Sequence, residues 1–135
     1  LFRSSMPVII AAAVYGLLGL AHGVYTLHDI LRRPRYFRPG DHELVAALGK
    51  TTVALAPNGR DYWTASLGFH LSHAIGVLLF ALLILLSGVA GIQWLLPLLV
   101  LVSAVYAFIA WRFWFQIPFV GCVLATALLV VGWVT

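Results

Sequence analysis

Ser66-Leu67-Gly68-Phe69-His70-Leu71-Ser72-His73-Ala74-Ile75-Gly76 stands inside an apolar run of about residues 62–87, and its reading decides the fold. Two histidines three residues apart in such a run belong to a packed or lipid-buried helix. Ionisable groups at that depth are costly and usually face a partner, a cavity or a ligand. Ser66, His70 and His73 fall at i, i+4 and i+7, which puts them on one helix face. Gly68, Ser72 and Gly76 recur every four residues on roughly the opposite face, where small residues let another helix approach. The spacing therefore predicts a helix that packs through its glycine face and carries chemistry, or a bound group, on its histidine face.

The composition agrees with a membrane setting. Of 135 residues, 63% are hydrophobic and 9% are charged, against a charged share of about 25% in soluble domains. The first apolar run is too long for a separate cleavable signal and lacks a clear small-residue cleavage site. The lone Cys122 excludes an intrachain disulfide and reads as a small packing residue.

Four runs, at about 7–28, 62–87, 92–115 and 117–134, are long enough to cross a bilayer. Each must be helical, because lipid offers backbone groups no other partner. Gly88–Gly91 joins the second to the third, and a break at Pro118 separates the third from the fourth. Such short connections make antiparallel neighbours. The expected architecture is all-α: a single-domain, up-down four-helix transmembrane bundle over residues 1–135, with a structured loop at 29–61.

Charge sets the expected orientation. Arg32, Arg33, Arg35, Arg38, Lys50, Arg60 and Arg112 fall on one side of these runs and Arg3 alone on the other. The positive-inside rule puts loop 29–61 in the cytoplasm and both termini outside. Within that loop, Arg32, Arg33, Arg35 and Arg38 alternate with Pro34, Tyr36, Phe37 and Pro39 as a basic and aromatic collar. The collar suits anionic headgroups, with Arg112 as a further lipid contact, or else one lipid phosphate or a partner's acidic tail. It is too small and too close to the membrane for nucleic acid. Asp41 is placed to cap a short interfacial helix at about 42–48, which Gly49 ends. Residues 51–55 are either extended or dip into the interface. Pro57-Asn58-Gly59 is a turn, and Asp61 caps the second long helix.

The first long helix carries its own polar stripe. Tyr15, Gly19, His22, Thr26 and Asp29 recur along one face, and Gly19 and Gly23 form a small-xxx-small pair. Ser103 and Tyr106 share a face of the third run. His22 lies roughly 9 Å, and His70 roughly 12 Å, from the loop-side ends of their runs. His22, His70, His73, Ser66 and Tyr106 are thus the candidate cofactor-binding residues, in a layer towards the loop side.

Several chemistries fit that layer. Two facing histidines can ligate haem b, and His22, His70 and His73 can hold copper or zinc with an open position. A histidine beside Tyr or Arg can pass a proton to a quinone or activate a hydroxyl. Equally, the histidines can hydrogen-bond between helices and specify packing alone. No His-x-x-Glu-His signature, glycine-rich phosphate loop or carboxylate pair within a helix selects an enzyme.

At Gly68-Phe69-His70-Leu71-Ser72-His73-Ala74-Ile75-Gly76 and Arg112-Phe113-Trp114-Phe115-Gln116-Ile117-Pro118-Phe119-Val120-Gly121, the chain resembles a group of small bacterial four-helix integral membrane proteins. The resemblance spans nearly the whole chain. It implies the bundle fold and the bacterial inner membrane, and no activity. The expectation is a non-catalytic accessory subunit, or a binder of lipid or a lipophilic ligand, with a membrane-protein partner or a second copy. A haem- or metal-binding redox protein built on His22, His70 and His73 is the alternative. Trp94, Trp111, Trp114 and Trp133, near helix ends, fit interfacial anchoring.

Overall fold

The computed structural model describes residues 5–135, so Arg3 of the charge count lies outside the described residues. These residues form five α-helices and no strands: α1 (Ser5–Leu31), α2 (His42–Leu48), α3 (Tyr62–Ala90), α4 (Leu96–Phe113) and α5 (Gln116–Val134). A 3-10 turn, Gln93–Leu95, leads into α4. Ser5–Leu31, Tyr62–Ala90, Gln93–Phe113 and Gln116–Val134 are long and apolar enough to cross a membrane. Many of their leucines, valines and phenylalanines stay exposed. An apolar outer surface of this kind suits lipid, where burying it inside the protein would bring little gain.

The helix ends follow from local chemistry. At the end of α3, Gly91 adopts φ +67, a conformation that a Cβ disfavours. It lets Ile92 N–H reach back to Ser87 O at 3.0 Å, satisfying a terminal carbonyl. Pro118 does not make the break between the last two helices. That break falls at Trp114 and Phe115, with extended backbone at both. Pro118 instead occupies the first turn of α5, where a helix needs no N–H.

The chain divides into two compact units, one comprising the chain up to Gly19 with Gly76–Thr135, the other Leu20–Ile75. In the first, α1 and α3 touch through small residues. A Cβ on Gly19 would lie 3.0 Å from the Leu78 side chain, and one on Gly88 3.1 Å from Val8. As α1 advances from Val8 to Gly19, its contacts on α3 retreat from Gly88 to Leu78, so the two run in opposite directions.

Polar groups are tied inside this unit. Thr126 donates its hydroxyl hydrogen to Cys122 O at 2.7 Å. Ser103 must then donate to Thr126, and Tyr15 to Ser103, each at 2.7 Å. The resulting chain of hydroxyls fixes α1, α4 and α5 to one another. Tyr15 also packs edge-on against Phe80, at 4.9 Å between ring centres.

The expected packing of α3 is reversed. Among the described residues, nothing beyond the helix's own backbone lies within 4 Å of where a Cβ would stand on Gly68 or Gly76, and Ser72 is exposed. The close approach comes instead from α1, whose glycines meet larger residues of α3. A groove needs a small residue on one partner only at each point: α1 supplies Gly19 and Gly23, and α3 supplies Gly88 against Val8.

Candidate functional site

The second unit holds the histidines and the collar. Gly23 on α1 lies opposite Ala74 on α3, where a Cβ would stand 3.6 Å from the alanine methyl. That close approach brings His22 and His70 together, with 3.1 Å between Nε2 and Nδ1. The His73 ring stands edge-on to His22, at 5.1 Å between centres. Phe37, from the loop, stacks on His70 at 4.2 Å and lies 4.7 Å from His22. Three imidazoles and one phenyl ring form a single packed block.

Asp29 sets the position of Phe37. Its buried carboxylate accepts the backbone N–H groups of Arg35, Tyr36 and Phe37 at 2.8 to 3.2 Å. His28 Nδ1 approaches the same carboxylate at 3.3 Å. Residues 35–37 are thereby folded back over the end of α1. Tyr36 stacks on Tyr25, with ring centres 4.4 Å apart. Arg32, Arg33 and Arg35 stay exposed, while the half-buried Arg38 donates to Pro39 O at 3.1 Å.

This geometry bears on two readings. Axial ligands to a haem iron lie on opposite sides of the metal, about 4 Å apart at a metal–nitrogen bond of ~2.0 Å. His22 and His70 stand at hydrogen-bond separation, and Phe37 covers a face of His70. The pair is thus not arranged as a haem clamp. The metal reading of His22, His70 and His73 also lacks its geometry. Among the described residues, no group of three or more His, Cys, Asp or Glu could hold an ion.

The remaining candidates are dispersed. Ser66 is half-buried one turn before His70, and no hydrogen bond joins it to the histidines among the described residues. Tyr106 belongs to the other unit, where it packs 5.7 Å from Phe80 and 6.0 Å from Tyr15. Arg112 is also in that unit, exposed, with its guanidinium 5.2 Å from the Phe113 ring centre.

Sequence reasoning missed Phe37 as the cover of the histidines and the Asp29 carboxylate as the anchor of the collar. One signal was available. A carboxylate in the last turn of a helix opposes the helix dipole, so Asp29 needed donors from elsewhere.

The fold and this site define an all-helical protein with four segments suited to crossing a membrane. Compared with family models, with curated proteins and with solved structures, the chain matches none.

Proposed function

We propose that the chain is a non-catalytic, up-down integral-membrane bundle whose arginine collar binds anionic lipid. It acts as an accessory or lipid-binding component of a larger bacterial inner-membrane assembly. Loop 29–61 faces the cytoplasm in this reading, and both termini face the periplasm. The observation that supports it best is the Asp29 anchor. By holding the backbone of residues 35–37, the carboxylate keeps the collar folded while the side chains of Arg32, Arg33 and Arg35 remain exposed. A cationic surface already ordered loses less entropy when it meets lipid phosphates. Basic residues at such a surface contribute about 1 kcal/mol each.

Replacing Arg32, Arg33, Arg35 and Arg38 by Gln tests this. In proteoliposomes, the enrichment of fluorescent phosphatidylglycerol around the protein should fall by about 1 kcal/mol per residue replaced. The difference from wild type should shrink as salt rises past about 0.1 M, where charges are screened within ~10 Å. Unchanged enrichment would assign the arginines to a protein partner or to topology, and end the lipid reading.

A further inference from the structure

Residues 51–62 close on themselves at the start of α3. Thr52 and Asp61 form an antiparallel bridge, and Tyr62 N–H donates to Thr51 O at 2.7 Å. Inside the loop, Ala56 N–H reaches Val53 O at 2.8 Å and Gly59 N–H reaches Ala56 O at 2.9 Å. The Thr52 hydroxyl donates to Pro57 O at 3.3 Å. The Asp61 carboxylate turns towards α3, accepting from the backbone and hydroxyl of Thr64 at 2.9 and 2.8 Å.

The loop so held presents an apolar tip. Val53, Ala54, Leu55, Ala56 and Pro57 are all exposed, and Leu55 is 95% exposed, the most of any large apolar side chain described. Lys50 and Arg60 stand exposed on its two flanks. Nearby acids are turned elsewhere: Asp61 caps α3, and Asp41 caps α2 through Glu43 N–H at 2.8 Å.

We infer that this tip is a membrane wedge, with Leu55 entering the headgroup–acyl boundary of an anionic bilayer and Lys50 and Arg60 meeting lipid phosphates. The inference concerns a surface distinct from the arginine collar. It shares with that reading only the premise that α3 crosses a bilayer. A single exposed leucine needs no explanation, but an apolar run flanked by cations has the composition of an interfacial anchor. The covalent link matters as well. The bridge to Asp61 directly precedes α3, so the loop is tethered where α3 enters the membrane. The carbonyls of Thr51, Val53, Ala56 and Pro57 are already satisfied within the loop, which lowers the cost of leaving water. Irregular backbone does not enter the hydrocarbon core, so the tip stops at the boundary.

The test uses the full chain in vesicles of phosphatidylcholine and phosphatidylglycerol, with a nitroxide attached through Leu55→Cys. Cys122 is buried and stays unlabelled. Glu43→Cys, on α2, is the comparison. The Leu55→Cys label should be more accessible to oxygen than to a water-soluble nickel chelate, and the Glu43→Cys label the reverse. Adding Lys50→Gln and Arg60→Gln should move the Leu55→Cys label towards water in the anionic vesicles and not in pure phosphatidylcholine. Nickel accessibility at Leu55→Cys equal to that at Glu43→Cys would overturn the wedge. So would shielding from both reagents, which marks a protein contact such as a second copy. Retained phosphatidylglycerol enrichment beside an aqueous Leu55→Cys label would refute the wedge and leave the collar standing.

Discussion

His22 on α1 and His70 on α3 are joined through Nε2 and Nδ1 at 3.1 Å, with Phe37 stacked on His70. A hydrogen bond between two imidazoles needs one nitrogen to accept, so at least one ring is neutral while it stands. The pair joins two helices, and Phe37 brings the loop onto it.

Replacing His70 by Ala removes that bond and the ring on which Phe37 rests. Interhelical hydrogen bonds in membrane bundles average about 0.6 kcal/mol and reach about 1.7. Thermal unfolding in detergent should therefore shift by little, with the bundle intact. A loss of folding altogether would show that the block carries far more than a hydrogen bond and its packing.

Asp29→Asn should act on the loop and not on the helices. The amide keeps one oxygen for the N–H groups of Arg35, Tyr36 and Phe37 but loses the charge that strengthens these bonds. A loss of about 1 to 3 kcal/mol is expected locally. Trypsin should then cut after Arg32 or Arg35 faster than in the wild type. An equal cleavage rate would show that the collar holds its place without the carboxylate.

The glycines of the two helices should behave oppositely. Gly19→Leu drives a side chain into Val77 and Leu78, already 3.0 to 3.2 Å from where a Cβ would sit. Overpacking of this kind costs about 1 to 3 kcal/mol. Gly68→Leu and Gly76→Leu enter open space among the described residues and should be tolerated. Denaturation of the purified protein, followed by circular dichroism, separates the two cases.

Asp61 lies just outside α3, and hydrogen bonds from the backbone and hydroxyl of Thr64 hold its carboxyl below the usual carboxylate range. The sign follows directly. A pKa depressed in the folded state contributes stability above the unfolded value, and that contribution is lost as pH falls through the folded one. Asp61→Asn keeps an N-cap but has no proton to bind, so its acid destabilisation curve should be flatter below pH ~4. Superimposable curves would deny Asp61 any part in the acid response.

Orientation has its own test. Cysteines placed by Arg35→Cys and Thr135→Cys should react with an impermeant reagent from opposite sides of the membrane. Labelling of Arg35→Cys from the periplasm would reverse the expected topology.

What could be read without the structure was the class of element, because hydropathy over about 20 residues and the need to satisfy backbone groups in lipid are properties of composition alone. The polar stripe of α1 was visible too, since helical spacing alone puts His22, Thr26 and Asp29 on one face. Spacing could not say which face of α3 meets α1. Two stripes on one helix are equivalent until a neighbour supplies the complementary surface, and Gly23 supplied it for the side bearing Ala74 and His70. Nor could it place Phe37, whose position depends on a carboxylate eight residues earlier gathering the backbone of a loop. Periodicity describes one element at a time. The histidine block and the anchored collar are contacts between elements, and only the tertiary fold decides those.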